Sequence, residues 1–513
     1  MHINSVTADP FHHFREGLVA GGHEGLRAGL IGKTAKVDGP FGPMPMLYAD
    51  YVASGRALRQ VECFMMEEVL PTYANTHTEA SYSGARTTEL REAARALIAR
   101  HCGATEDHAV VFAGSGATAG LNRLVSLFNV PEAVAQGRPV LVFHGPYEHH
   151  SNILPWRESG ATVVEVPEAP TGGPDLDALR KGLEDAPAGG LLIGTFSAAS
   201  NVTGALSDVA SVTRVLQEYG ARSVWDYAGG GPYLPVSVHP ARGVTIDAIC
   251  LSPHKFVGGP GASGVLIVRR AACTRTVPSW PGGGTVVYVS QRTAQYSARI
   301  EDREEAGTPN ILGDIRAGLA VLVKDVIGQE FLNTRQAELA RLGLERLGTE
   351  PSLSVLGDPS IPRLPIFSFT ARDDEGTPVH YQYATRLLSD LYGLQTRGGC
   401  ACAGPYAHRL LDFGPDAEAR IYGSIALGHE LERPGFVRFN LSALFTDAEV
   451  ERVLSAVTDL PRVSRLHRTR YRADPKTGMF QPVSARFNLT EEQSGKRSKQ
   501  RITSYLSRAA SFF

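Results

Sequence analysis

The chain is poor in several features that mark particular classes of protein. Six cysteines among 513 residues are too few for the disulfide framework of a small secreted domain. No run approaches the roughly 18 uninterrupted apolar residues of a membrane-spanning helix, and the start lacks the basic end and apolar stretch of a secretory signal. We therefore expect a cytoplasmic protein without a membrane partner. The apolar content of 43% is ordinary for a folded protein.

Neither sign of charge is in large excess, since the net charge is only −2. It is unevenly distributed, however, because residues 462–513 hold twelve lysines and arginines against three acidic residues. A basic tail of this kind can bind nucleic acid, a membrane surface or an acidic partner. This one contains no nucleic-acid-binding motif. We interpret it as a surface extension and expect no nucleic-acid partner.

Helical and apolar segments alternate between about residues 84 and 270. Helical spacing occurs over 89–100, 116–128 and 206–220, the last ending at a glycine. The apolar runs that we expect to be strands are 109–114, 139–144, 161–166, 190–197, 222–226, 246–252 and 264–270. Continuous apolar strands between helices are typical of a mostly parallel sheet that is covered on both faces. This pattern predicts an α/β fold.

The character of the chain changes after a helix that the spacing predicts over 311–348. Shorter helical and apolar segments follow it and indicate a smaller α+β domain. We expect an N-terminal extension (1–46), a large cofactor-binding domain (47–320), a small C-terminal domain (321–461) and a basic tail (462–513).

Polar residues follow several of the expected strands, where ligands bind in sheets of this kind. Lys255 could form a Schiff base, and Asp226 could hold a proton on a pyridine nitrogen. The glycine-rich turn at 114–122 could bind a phosphate. His149 could stack on an aromatic cofactor, and Asn201 could bond a ring hydroxyl. Taken singly, each also has an ordinary explanation, as a surface lysine, a capping aspartate or a turn residue.

Together, the order of the motifs resembles the class V family of pyridoxal-phosphate (PLP) enzymes, which have the type I fold. These motifs are EHHSNILPW (148–156), SNVTG (200–204), SPHK (252–255), PGGG (281–284) and EAGTPN (305–310). The resemblance extends over about residues 50 to 450. It is closest to group II cysteine desulfurases and selenocysteine lyases. The loop RGGCACAG (397–404) is also similar to that of molybdenum-cofactor sulfurases.

The resemblance implies a role for each matched residue. Lys255 is the Schiff-base lysine, Asp226 the partner of the pyridine nitrogen and His149 the stacking histidine. Asn201 lies near the ring hydroxyl. The residues implied at the phosphate are Ala117, Thr118, Ser252, His254 and, toward the cofactor of a neighbouring subunit, Thr308. The last assignment implies a homodimer. The residues implied at the substrate are His77, Arg397 and Arg438, of which Arg438 grips the carboxylate.

The cysteine loop carries the nucleophile that the resemblance implies. Arg397 lies five residues before Cys402 and Pro405 three residues after it, as in the desulfurase pattern. Cys400 could resolve a persulfide or serve only as a small residue. A CxC pair can also bind metal, but no second pair completes a site, so we expect no metal. One departure from the family is Gly229, which stands where a glutamine usually lies near the ring.

The implied activity is removal of sulfur from L-cysteine, or of selenium from L-selenocysteine, giving alanine and a persulfide on Cys402. A sulfur-acceptor protein is then a possible partner. One alternative is a PLP-dependent aminotransferase, epimerase or C–S lyase acting on another amino acid, which the missing glutamine favours. A remote alternative is a non-catalytic scaffold that binds through its basic tail. Retention of Lys255, Asp226 and His149 together argues against the scaffold.

Overall fold

The structure is a computed structural model that describes residues 9–76 and 78–486. His77 and residues 487–513, which include most of the predicted tail, lie outside the described residues. The α-helices are α1 His12–Gly29, α2 Arg59–Phe64, α3 Tyr82–His101, α4 Gly116–Leu127, α5 Val130–Ala135, α6 Leu154–Glu158, α7 Leu176–Glu184, α8 Val209–Glu218, α9 Ile300–Glu304, α10 Ile311–Ile327, α11 Gln329–Gly348, α12 Tyr381–Tyr392, α13 Gly404–Leu410, α14 Pro415–Ala426 and α15 Asp447–His467.

The strands are β1 Lys36–Gly39, β2 Gly42–Pro45, β3 Leu47–Tyr48, β4 His108–Gly114, β5 Val140–His144, β6 Thr162–Glu165, β7 Leu191–Ser197, β8 Arg222–Asp226, β9 Ala248–Leu251, β10 Gly264–Arg269, β11 Val286–Val289, β12 Ala294–Tyr296, β13 Leu353–Val355, β14 Ile366–Arg372, β15 Pro378–Val379, β16 Leu394–Gln395, β17 Arg397–Gly399, β18 Phe436–Asn440, β19 Tyr471–Ala473 and β20 Phe480–Pro482.

Two compact units make up the described chain. The large unit contains residues 9–31, Ala53–Asn201 and Ala205–Asn333, and the small unit contains Gly32–Val52, Val202–Gly204 and 334–486. The domain limits that we drew from the sequence stay a prediction. Among the described helices, none combines the length and the apolar content that crossing a bilayer requires.

A seven-stranded sheet forms the centre of the large unit. Its order is β4-β10-β9-β8-β7-β5-β6. The five strands from β9 to β6 are parallel to one another, and β10 is antiparallel to both β4 and β9. All four residues of β9 and five of the six in β10 are buried, as their continuous apolar runs predict. The mostly parallel α/β architecture is thereby confirmed.

The parallel strands bring several loops to one edge of this sheet. Because β5, β7, β8 and β9 run in the same direction, the residues after their carboxyl ends lie along the same edge. His149 follows β5, Asn201 follows β7, Asp226 ends β8 and Lys255 follows β9. The fold therefore places at one edge the polar residues that the motifs singled out.

The small unit is built on an antiparallel sheet. Its order is β13-β14-β18-β17, with β15 paired to β14. The segment after the β1–β2 hairpin joins this unit through β3, which pairs in parallel with β16. Helix α15 begins with a capping box, in which the Thr446 hydroxyl accepts the Glu449 N–H and the Glu449 carboxylate accepts the Thr446 N–H. The small unit therefore has the expected α+β character.

Three segments differ from the sequence expectation. The helix predicted over 311–348 is two helices, because Gly328 has a φ of +88° and ends α10. Residues 1–46 show little periodicity, yet α1 forms and turns at Gly22, where φ is +53°. Residue 462, the predicted start of the tail, lies inside α15, whose last turns bury Val463 and His467. Because these side chains are buried within the small unit, the helix continues past the point where the helical spacing of apolar residues is evident in the sequence.

Candidate active site

Lys255 lies in a tight turn directly after β9. Residues Pro253–Lys255 form a 3₁₀ turn in which the Lys255 N–H donates to the Ser252 carbonyl at 2.9 Å. Gly55 packs against this turn from outside, and its N–H donates to the His254 carbonyl at 3.0 Å. A Cβ at Gly55 would lie only 1.8 Å from the Phe256 carbonyl oxygen, so only glycine fits there. The backbone that carries Lys255 is therefore tightly held.

Asp226 is a buried carboxylate within the electrostatic field of Lys255. Its side chain is at the end of β8 and is 4% exposed. The Ala228 N–H donates to its Oδ1 at 2.7 Å. Burial raises the pKa of Asp226, while the Ala228 hydrogen bond and the positive charge of Lys255 act in the opposite direction. A buried carboxylate of this kind is chemically suited to a protonated ring nitrogen.

The glycine-rich turn between β4 and α4 contacts the loop that precedes Lys255. Gly114 and Gly116 have φ values of +86° and +60°, which let the chain enter α4 sharply. The Ala117 N–H donates to the Ser252 hydroxyl at 2.9 Å. A Cβ on Gly116 would lie 2.9 Å from both the Ser252 hydroxyl and the His254 ring. The structure thus brings Ala117, Ser252 and His254 together.

His254 is neutral in this setting. Burial and the neighbouring Lys255 charge lower the pKa of His254 to about 4. A neutral imidazole beside a helix N-terminus offers one N–H donor and adds no charge. The combination of a glycine-lined cradle, a hydroxyl and a helix start suits the phosphate of PLP.

His149 is connected to the same turn by hydroxyl groups. The Ser151 N–H donates to Nδ1 of His149 at 3.1 Å. The Ser151 hydroxyl lies 3.0 Å from this Nδ1 and 2.8 Å from the Thr118 hydroxyl. Because Nδ1 accepts a backbone N–H, the proton of the neutral ring is on Nε2. The chain of bonds from Thr118 to His149 fixes the ring next to the glycine-rich turn.

Glu148 is a functional candidate that sequence reasoning missed. Its carboxyl group is 3% exposed and accepts bonds from the Ser197 N–H at 2.8 Å, the Ser197 hydroxyl at 2.7 Å and the Asn152 amide at 2.6 Å. Burial raises the pKa of Glu148 to about 7 against those hydrogen bonds, and Asp226 adds to the rise. Glu148 thus ties the loop that carries His149 to the end of β7. Its signal was an acidic residue immediately before His149.

Gly229 lies against the loop that carries Asn201. A Cβ at Gly229 would be 3.3 Å from the Ala199 carbonyl oxygen and 3.6 Å from the Asn201 Cβ. The first distance is tighter than most contacts of a Cβ and the second is an ordinary contact, so a larger residue here would displace the Ala199 carbonyl by a few tenths of an ångström. The loop that carries Asn201 therefore packs closely on the residue that departs from the family pattern.

Thr308 lies in a segment that is held by a buried ion pair. Its hydroxyl is exposed, and it accepts the Asn75 amide at 3.4 Å. Three residues earlier, Glu305 is buried between Arg91 and Arg95, with an Arg95 Nη1 distance of 2.7 Å. Burial opposes ionisation, but the charges of Arg95 and Arg91 lower the pKa of Glu305 below its ordinary value. The role of Thr308 toward a second subunit stays a prediction.

The cysteine loop of the small unit presents Cys402 to solvent. It follows β17, and α13 begins at Gly404 with Pro405 in its first turn. Cys402 is exposed and Cys400 is partly buried. Ala401 and Cys402 both have a φ of +54°, a left-handed conformation that is uncommon for residues with a side chain. Backbones held this way concentrate at functional sites.

Two arginines of the small unit share one carboxylate, which the sequence reasoning also missed. Arg438 Nη2 lies 2.9 Å from Asp50 Oδ1, and Arg397 Nε lies 3.1 Å from Asp50 Oδ2. Arg397 and Arg438 are direct partners across the β17–β18 pair. The structure therefore brings together the two arginines predicted at the substrate. Among the described residues, no group of three or more His, Cys, Asp or Glu side chains is arranged to hold a metal.

Comparison with known proteins gives one family. The family model for class-V aminotransferases matches residues 47–453. Cysteine desulfurases of Salmonella agona and Salmonella typhi are 26% identical over 425 residues, covering 82% of this chain and 94% of each relative. The apo cysteine desulfurase of Thermococcus onnurineus NA1 matches with a TM-score of 0.67 and 23% identity, over 81% of this chain and 94% of that one. The Escherichia coli cysteine desulfurase CsdA matches with a TM-score of 0.66 and 22% identity, over 85% and 98%.

Proposed function

The chain belongs to the class-V aminotransferase family and is a PLP-dependent enzyme of fold type I that acts on an amino acid, and we propose that it removes sulfur from L-cysteine. The products are alanine and a persulfide on Cys402. L-selenocysteine would give alanine and selenium by the same route. The observation that carries the proposal is an exposed, left-handed Cys402 at the spacing from Arg397 that the desulfurase pattern has. The relatives named above are also called cysteine desulfurases.

The large unit supplies the residues that would hold the cofactor. Lys255 would bind it covalently, Asp226 would face the ring nitrogen and His149 would stack on the ring. Ala117, Thr118, Ser252 and His254 would hold the phosphate, and Asn201 would bond the ring hydroxyl. When bound, PLP supplies an electron sink for the substrate α-carbon. Thr308 would reach the phosphate of the cofactor bound by a second subunit. The enzyme would then be a homodimer.

The remaining steps belong to the side chains of the protein. Lys255 takes the proton from the substrate α-carbon as a general base. The thiolate of Cys402 attacks the substrate sulfur, so that an S–S bond forms as the substrate C–S bond breaks. The electrons of that bond pass to the β-carbon, which takes up a proton, and Lys255 returns a proton to the α-carbon, so that alanine forms. Arg438 and Arg397 bind the carboxylate, and a sulfur-acceptor protein removes the outer sulfur from Cys402.

The test is a single turnover of the holoenzyme with L-cysteine, followed by mass spectrometry of tryptic peptides. We expect a gain of about 32 Da, one sulfur atom, on the peptide of Cys402. Alanine and sulfide should then accumulate when a reductant is added. Cys402→Ser should abolish both, and Cys400→Ser is the matched control within the same loop.

The rival within PLP chemistry is an aminotransferase, epimerase or C–S lyase for another amino acid. The observation that favours it is Gly229 in place of the usual glutamine. An enzyme that is inert toward L-cysteine and L-selenocysteine, but turns over another amino acid in a panel, would replace the desulfurase proposal with this one.

A further inference from the structure

One carboxylate holds both arginines that the proposed function assigns to the substrate. The Arg438 side chain is 3% exposed, that of Asp50 11% and that of Arg397 49%. Arg438 is therefore a buried cation, and Asp50 is the carboxylate that compensates it. Two arginines opposite each other on an antiparallel pair repel, unless an anion lies between them.

The position of Asp50 is determined by the main chain around it. The Ala49 N–H donates to the Gln395 carbonyl at 3.0 Å, and the Ala49 carbonyl accepts the Asn440 N–H at 2.8 Å. The Tyr51 N–H donates to the Asn440 side-chain oxygen at 2.8 Å. Both neighbours of Asp50 are thus attached to the strands beside it. The backbone of Asp50 is therefore held by bonds that do not involve the arginines.

The charges of this cluster can be counted from its members. Arg397 and Arg438 contribute two positive charges and Asp50 one negative charge, which leaves one net positive charge. A neutral amino acid such as cysteine presents one carboxylate, whereas aspartate presents two. We propose that Asp50 is a specificity-determining residue that matches the cluster to substrates with a single carboxylate. The inference rests on the proposed role of the two arginines.

The size of the effect follows from Coulomb's law. At an effective dielectric constant of about 20, one charge about 7 Å from a second carboxylate changes a binding constant by roughly 50-fold. Solvent at the half-exposed Arg397 screens part of this interaction. We therefore expect a change of about tenfold in the preference between one and two carboxylates when the charge of Asp50 is removed.

The experiment is calorimetric titration of the holoenzyme with L-alanine, L-aspartate and ethylamine, which carries no carboxylate. In Asp50→Asn the ratio of aspartate to alanine affinity should rise about tenfold, and ethylamine binding should not change. Arg397→Gln lowers the net charge of the cluster to zero, so the same ratio should fall below that of the wild type. Asp50→Glu keeps the charge and should keep the ratio within about threefold.

The matched control is Asp390→Asn. Asp390 is a buried aspartate of the same unit, 3% exposed, that pairs with Arg386 and accepts the Tyr471 hydroxyl. This variant should lower the unfolding temperature without moving the affinity ratio. An unchanged ratio in Asp50→Asn, or one common factor for all three ligands, would overturn the inference. Because these titrations need no turnover, sulfide release from L-cysteine in the same preparations tests the proposed function separately.

Discussion

Glu148→Gln should remove a pH dependence of stability that the wild type carries. The Glu148 carboxyl group is buried, and its pKa is raised to about 7 from an ordinary value of 4.5. Between these values the folded protein binds the proton and the unfolded chain releases it. The contribution of Glu148 to stability is therefore fully present below pH 4.5 and is lost as the pH rises through 7.

The magnitude follows from the same two values. Each pKa unit corresponds to about 1.4 kcal/mol, so the full loss in the free energy of unfolding is about 3 kcal/mol. Glutamine cannot ionise, so the free energy of unfolding of Glu148→Gln should not change with pH in this way. It also places an N–H₂ group among three donors, from Ser197 and Asn152, which costs about 1–3 kcal/mol at every pH.

Urea unfolding of the holoenzyme at pH 5 and pH 8 measures the difference. Tryptophan fluorescence is a suitable signal, because the indole of buried Trp156 donates to Asn152 in this network. Glu148→Gln should be less stable than the wild type at pH 5 and should gain about 2–3 kcal/mol relative to it by pH 8. The exposed Glu165, at the end of β6, gives the control Glu165→Gln, which should follow the wild type. Parallel curves for the wild type and Glu148→Gln would refute the reasoning.

Three further predictions concern the chemistry. Borohydride reduction of the holoenzyme should label Lys255, and Lys255→Ala should lose turnover by orders of magnitude while still binding some PLP; a pyridoxyl label on another lysine would contradict the assignment. Asp226→Asn should weaken catalysis more than folding. It should slow exchange of the substrate α-proton, measured by NMR in deuterium oxide, while the unfolding temperature stays near that of the wild type; an unchanged exchange rate would exclude the role. Cys402→Ser should abolish persulfide formation in one turnover and leave the cofactor spectrum intact, whereas Cys400→Ser should retain most of the persulfide; sulfur on Cys400 instead would reverse the two roles.

The large unit could be predicted from sequence because its signals are local. The seven apolar runs coincide with the seven strands of the central sheet, since buried parallel strands need continuous apolar residues. The parallel direction then brings the residues after each strand to one edge. The sequence alone therefore predicts that Lys255, Asp226 and His149 lie along that edge. The break at Gly328 was missed because the helical spacing is continuous on both sides of it.

The two acidic residues that sequence reasoning missed have partners far along the chain. Glu148 bonds Ser197, 49 positions away, and Asp50 bonds Arg438, 388 positions away. No periodicity connects such residues, because the contact exists only after the sheet or the strand pair has formed. The position of Glu148 next to His149 was the one local signal, and nothing in a local window shows that either carboxylate is buried. Their burial is the property that marks them, and burial depends on the fold.

The two proposed reactive groups differ in how closely the protein packs around them, and the difference suits their proposed roles. The backbone around Lys255 is closed in by Gly55, where even a Cβ would collide with the main chain. Cys402 is exposed, and its left-handed φ is held by a short loop between β17 and α13. A lysine that returns to the same atom in every cycle benefits from a rigid base. A cysteine that takes sulfur from a substrate and passes it to an acceptor has to remain accessible to both.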